Sequence, residues 1–193
     1  MTEKELINGV IAKDREAIKW LVENYQKKVI KTAYYFLGNL EDAEDLAQEI
    51  FLVIVNSMGR FRQGSSLSTW IYRITMNRSL NVLKRNKRQH FILRFEQLFG
   101  IKKPGSNGKT NGFTTENNAL LEQENIKLLR NAVDALPEKQ RTAFILSKYD
   151  DLSYKEIAEV MGTSLSSVES LLHRAKMNLQ KSLAMHFSEY LTK

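Results

Sequence analysis

Cysteine is absent from all 193 residues, which excludes disulfides, thiolate nucleophiles and cysteine-ligated zinc together. Histidine is scarce as well. His90, His173 and His186 stand apart, with no nucleophile or second ligand at a motif spacing, so neither a catalytic centre, a metal site nor a cofactor is expected. The longest unbroken apolar run, "IFLVIV" at residues 50–55, is far too short to cross a bilayer, and no membrane insertion is expected. The opening "MTEKELINGVIAKD" scatters charges where a secretory signal would carry its apolar core. A soluble protein that stays in the cytoplasm is the expectation.

What is present is an ordinary apolar fraction of 42% and a charged fraction of 26%, which places the chain among globular rather than disordered proteins. The formal charge is +7, and it is concentrated. Residues 84–109 hold eight lysines and arginines against one acid, Glu96, so this stretch alone carries +7 and the remainder is neutral. A solvated basic linker would account for it. A seam facing a polyanion accounts for it better, and nucleic acid is the polyanion that a chain without a membrane helix points to.

Part of that stretch is also the turn-rich run "GIKKPGSNGKTNGFTTENN", which has no apolar periodicity and reads as a linker by composition. It divides the chain into residues 1–90, a linker over 91–115, and residues 116–193. Both halves show helical spacing, and neither contains a useful alternating strand pattern or an internal repeat. The fold class expected is all-α, two small helical bundles. In the first half, Ala43, Leu46, Ala47, Ile50, Phe51 and Ile54 recur at helical spacing behind Asn39, a candidate N-cap, with acids in the first turn. Leu52, Val53 and Val55 add apolar surface off that stripe, more than one core face needs, which suggests a partner. A second helix begins near Ser68, and Pro137 opens another in the second half.

Two features suggest chemistry and fail on inspection. "GSNGKT" resembles the end of a phosphate-binding loop, but the motif's first glycine would fall at position 103, which is Lys103. The acids Glu41, Asp42, Glu44, Asp45 and Glu49 lie on a helix with no histidine nearby, whereas hard cations draw oxygen ligands from sharply turned loops. They read as a solvated or partner-facing helix face.

The stretch "SYKEIAEVMGTSLSSVESLLHRAK" carries more information. Ser153 caps a short helix through Met161, Gly162 supplies a left-handed turn, and Ser164 caps a second helix. Ile157, Ala158 and Met161 match Val168, Leu171 or Leu172, and Ala175 across the turn. This is the helix-turn-helix plan, whose second helix enters the major groove; an ordinary helical hairpin is the plainer alternative. Glu169 lies in the middle of the polar second helix. A carboxylate there can accept a hydrogen bond from cytosine N4 while serines and Arg174 hold phosphates, so Glu169 would select sequence rather than strengthen binding.

"LPEKQRTAFILSKYDDLSYKEIAEVMGTSLSSVESLLHRAKMNLQ" resembles region 4 of bacterial sigma factors of the extracytoplasmic-function (ECF) group in the sigma-70 family. "DAEDLAQEIFLVIV" is similar to that family's region 2.2, and "FRQGSSLSTWIYRITMNRSLNVLKR" to its regions 2.3 and 2.4. The resemblance implies a subunit, not an enzyme, that binds core RNA polymerase and directs initiation at promoters with −10 and −35 elements. It implies that Asp42, Asp45, Leu46, Gln48, Glu49 and Phe51 meet the clamp helices of the largest polymerase subunit. Arg62, Gln63, Ser65 and Ser66 fall in the loop that captures a flipped −10 base. Trp70, Tyr72, Arg73, Asn77, Arg78, Asn81 and Lys84 fall on the helix that melts and reads that element. Arg141, Tyr154, Lys155, Ser164, Ser166, Ser167, Glu169, Ser170, His173, Arg174 and Lys176 are placed at the −35 element. The flap of the second-largest subunit and a cognate anti-sigma factor complete the implied partners.

The residues themselves support strand opening, which needs planar side chains to hold an unstacked base and cations for the backbone. Trp70 and Tyr72 beside Arg73 and Arg78 meet that need, although Trp70 is equally suited to the core. This chain departs from the family pattern in four places. Asn81 stands where aspartate is frequent, Leu67 where an aromatic is, and Glu169 and Leu171 where basic residues are common. A stand-alone dimeric helix-turn-helix regulator would leave the acidic–apolar and aromatic–basic helices without a task. An enzyme acting on nucleic acid would lack a nucleophile, metal cluster or phosphate loop.

Overall fold

The architecture comes from a computed structural model, which describes residues 1–61, 64–98, 127–148, 150 and 152–191, with side chains left undescribed over 87–98 and 185–191. Among these residues there is no strand, and the chain is all-α as expected. Helices α1 (Glu3–Ile11), α2 (Arg15–Leu37), α3 (Leu40–Ser57) and α4 (Leu67–Leu98) form the first half, with a short 3₁₀ turn at Met58–Arg60. Residues 127–134 form α5, followed by α6 (Glu138–Lys148), α7 (Tyr154–Met161) and α8 (Leu165–Leu191). The expected linker lies mostly outside the described residues, as do Arg62, Gln63 and the "GSNGKT" run.

Local sequence sets the helix ends. Thr2 and Glu5 close a capping box on α1, and Asp14 Oδ1 accepts the Ala17 amide at 2.8 Å to start α2. Gly38 ends α2 at φ +82°, in the left-handed region that glycine occupies without penalty. Asn39 then starts α3, accepting the amides of Glu41 at 2.8 Å and Asp42 at 3.3 Å, as its position before the acidic turn implies.

The apolar stripes meet in three clusters. Leu21, Val29 and Ala33 of α2 pack on Ala43, Leu46, Ile50 and Ile54 of α3, with Leu67 and Ile71 of α4 closing the first. A second cluster crosses between the halves. Phe36 of α2 and Tyr72 and Met76 of α4 are buried with Ala143, Ile145 and Leu146 of α6, Ile157, Ala158 and Val160 of α7, and Val168 of α8. A third joins Ala132, Val133 and Leu136 to Ala175 and Leu179. The two bundles therefore share a core.

Polar contacts follow the same seam. Thr32, fully buried on α2, donates its hydroxyl to the Asp150 carboxylate at 2.9 Å. Arg141 of α6 donates to the carbonyl oxygen of Phe36 at 3.1 Å, and Arg130 of α5 to that of Tyr34 at 3.5 Å. Lys84 pairs with Glu138 at 3.1 Å.

Candidate polymerase and nucleic-acid interfaces

Helix α3 has two faces. Leu46 and Phe51 point into the core, while Asp42, Asp45, Gln48 and Glu49 are exposed on the outer side. Of the expected surplus apolar surface, Leu52 is 66% exposed, whereas Val53 and Val55 are half-buried. A groove between α2 and α3 is lined by Val22, Gln26, Ile30, Glu44, Ala47, Gln48 and the edge of Phe51. An acidic rim over an apolar floor suits a partner that brings basic and aliphatic side chains together. Leu46 lies buried beneath this face and offers no surface of its own.

On α4 the expected residues divide. Asn77, Arg78 and Asn81 are exposed. Trp70 is half-buried against Phe61, ring centroids 5.4 Å apart, at the edge of the first cluster. Tyr72 is only 8% exposed, inside the shared core. Arg73 donates to the Glu159 carbonyl of α7, and its Nε is buried with no partner among the described residues. Ser66 starts the helix, its Oγ accepting the Thr69 amide at 3.1 Å, and Ser65 lies beside it, half-buried.

The α7–α8 unit is built as its sequence indicates. Ser153 and Glu156 close a capping box in which Glu156 accepts the Ser153 amide at 2.8 Å. Those bonds, from side chain and then backbone, hold the Glu156 carboxyl below its ordinary range. Gly162 turns the chain at φ +62°, and Ser164 Oγ accepts the Ser167 amide at 3.2 Å to start α8. Ile157, Ala158 and Met161 pack toward Val168, Leu171 and Leu172; Ala175 instead packs beneath α5. This leaves Ser164, Ser166, Glu169, Ser170, His173, Arg174 and Lys176 exposed on α8, with Ser167 half-buried and Tyr154 and Lys155 exposed at the start of α7.

Arg141 is placed differently from the other residues expected at the −35 element. It is 5% exposed, bonded to Phe36 and paired with Asp134 at 3.2 Å. Burial draws its pKa down and the Asp134 carboxylate opposes that shift. The cation that does reach the recognition face from α6 is Lys139, which lines a depression with Thr163, Ser166, Ser167, Ser170, Leu171 and Arg174. Sequence reasoning missed Lys139, although its place in the first turn after Pro137, two residues before Arg141, was a signal. On a helix, positions two apart point in different directions, so one faces the seam and the other the groove.

A capped helix, a left-handed glycine and a second helix with an exposed polar and basic row define a DNA-binding helix-turn-helix protein. Residues 126–179 match the sigma-70 region 4 family, and residues 21–89 match sigma-70 region 2. The chain is 28% identical to the ECF RNA polymerase sigma factor SigW of Bacillus subtilis over 190 residues, covering 95% of this chain and 97% of SigW. It is 30% identical to the RNA polymerase sigma factor YlaC of the same organism, covering 89% and 94%, and 31% identical to the RNA polymerase sigma-H factor of Pseudomonas aeruginosa, covering 94% and 93%. The fold resembles CnrH solved with the cytosolic domain of CnrY (TM-score 0.66, 18% identity, 95% and 97% of the chains covered). It also resembles RpoE solved with the anti-sigma factor NepR from Bartonella quintana (TM-score 0.59, 20% identity, 86% and 96%). The chain belongs to the ECF group of sigma-70 family RNA polymerase sigma factors. Its function is promoter recognition and initiation of transcription with RNA polymerase.

Proposed function

We propose that this sigma factor divides its work among three surfaces. The outer face of α3, with Asp42, Asp45, Gln48 and Glu49 around the Phe51 edge, holds the clamp helices of the largest polymerase subunit. Helix α4 and the loop before it, residues 62–66, take the −10 element, with Asn77, Arg78 and Asn81 at the strand. The α7–α8 unit reads the −35 element through Glu169, with Ser166, Ser170, Arg174 and Lys139 on phosphates. The domain organisation that goes with this is residues 1–90 for polymerase and −10 contact, a linker over 91–115, and residues 116–193 for −35 contact and the polymerase flap. The protein acts by binding rather than by catalysis, in the cytoplasm where polymerase and promoter meet. Two structural relatives were solved with partner proteins, one named an anti-sigma factor. A cognate anti-sigma factor is proposed here on that basis.

The observation that carries the reading is the exposed polar and basic row on α8 in the same chain as an exposed acidic face on α3. A duplex-binding regulator needs only the first. Transcription in vitro with core polymerase across a randomised promoter library tests it. The expected outcome is initiation confined to templates sharing two elements. Tight duplex binding by the free protein, with no polymerase-dependent initiation, would establish the stand-alone regulator instead.

A further inference from the structure

The first turn of the recognition helix carries a side chain that neither the core nor the phosphate row uses. Leu165 is the first residue of α8 and is 47% exposed, outside the three apolar clusters. Ser164 fixes the turn beneath it. Its Oγ accepts the Ser167 amide at 3.2 Å and lies 3.1 Å from the Ser166 hydroxyl and 2.9 Å from that of Ser167. A helix gains nothing from a leucine in water at this position, where polar or acidic side chains would meet the free amides. Met177, the other strongly exposed apolar residue among the described side chains of α8, lies twelve residues on, about 18 Å along the axis. The residues of a recognition helix that reach base edges are those at its N-terminal end, so Leu165 enters the groove and Met177 does not.

We infer that Leu165 is a sequence-reading residue that packs on the 5-methyl group of a thymine in the −35 element. That methyl is the apolar group which base edges present in the major groove. The other bases offer donors and acceptors there, which a leucine would desolvate without bonding. Glu169 lies four residues on, one turn along the same side of the helix, and is also exposed. The separation is about 6 Å, or about two base-pair steps. The thymine therefore falls within about two base pairs of the pair that Glu169 reads, and the two side chains select neighbouring positions by opposite chemistry. The inference rests on the proposed assignment of the α7–α8 unit to the −35 element, and the experiment separates the two.

Uracil differs from thymine by that methyl alone, so it tests the contact without altering base pairing. Holoenzyme is bound to promoter duplexes in which each base pair of the −35 element is changed in turn. It is then bound to duplexes in which each thymine of either strand is replaced by deoxyuridine. One thymine, within about two base pairs of the position whose preference Glu169→Ala removes, should show a loss of about fourfold on replacement by uracil, the value of one buried methyl group. Leu165→Ala should bring that ratio to about one while changing binding to the uracil duplex little. Leu165→Met, which keeps a long apolar side chain, should retain most of the ratio. A uracil effect that persists in Leu165→Ala overturns the inference, as does an element in which no position prefers thymine, and both results leave the α7–α8 unit as the reader. Binding indifferent to every base change in the element overturns the assignment of that unit, and the role of Leu165 with it.

Discussion

The Arg141 guanidinium donates to the carbonyl oxygen of Phe36 at 3.1 Å, across 105 residues of chain. Helix α2 has no basic residue in its own last turn, so the negative end of its dipole is met by arginines from the other half, Arg141 and Arg130. Asp134 holds the other side of Arg141 at 3.2 Å. A planar fork can satisfy a carbonyl and a carboxylate together, which a lysine ammonium does less well.

Arg141→Ala should therefore destabilise the free protein by about 1.5–3 kcal/mol, the range for hydrogen bonds to charged groups. Urea unfolding followed by circular dichroism checks this, with the midpoint falling and Arg141→Lys recovering only part of the loss. A variant that unfolds like the wild type and loses only −35 binding would place Arg141 on DNA instead.

The exposed acids of α3 make a second expectation. Asp45→Lys combined with Gln48→Lys sets two cations where the proposed partner surface is basic, and like-charge juxtaposition costs several kcal/mol. Co-purification with core polymerase should be abolished. The fold should survive, because both side chains are exposed and the core beneath is formed by Leu46, Ala47 and Ile50. Unchanged association in a pull-down would remove this face from the polymerase contact.

Much of this arrangement could be read from the sequence because its causes are local. Asn39, Ser153, Gly162 and Ser164 each act within four residues of themselves, and the structure places all four at the helix ends their chemistry demands. The burial of Leu46 and Phe51 followed from helical spacing alone. The seam was not legible for a physical reason. Spacing shows that Tyr72 and Met76 can share an apolar face but not which surface covers it, and here the cover begins some seventy residues later. A buried arginine likewise resembles a DNA-facing arginine in sequence, so Arg141 was expected at the face where Lys139, which the sequence reading passed over, is found.

The α7 capping box has a pH signature. Glu156 has its carboxyl held below the ordinary value of 4.5 by Ser153. A depressed folded-state pKa contributes stability above the unfolded value and loses it as pH falls through the folded one. The contribution should be intact above about pH 5 and be lost progressively as the pH falls below the ordinary glutamate range. Ser153→Ala should cost about 1 kcal/mol at neutral pH, near the typical cap value, and flatten the acid dependence. Thermal melts at pH 7 and pH 3.5 of both proteins measure it, and equal differences at the two pH values would remove Glu156 from the cap's energetics.

Glu169, Arg174 and Lys139 should separate sequence reading from phosphate holding. Glu169 is exposed on the α8 face that also carries Ser166, Ser170 and His173, where a carboxylate can accept from a cytosine amino group and otherwise opposes DNA. Glu169→Ala should therefore cost about 1–3 kcal/mol of discrimination at one base pair of the −35 element. Absolute affinity for other sequences should hold or rise, because a negative charge has left the interface. Arg174 and Lys139 line the depression beside the same helix, and both are assigned to phosphates in the proposed arrangement. Replacing either by alanine should weaken binding across all sequences and reduce the salt slope by about 1, the effect of losing one phosphate contact. Holoenzyme binding to a set of single-base −35 variants at several salt concentrations distinguishes the two classes. A uniform loss from Glu169→Ala would make it a structural residue of α8, and a base-specific loss from Lys139→Ala would move Lys139 from the backbone to the groove.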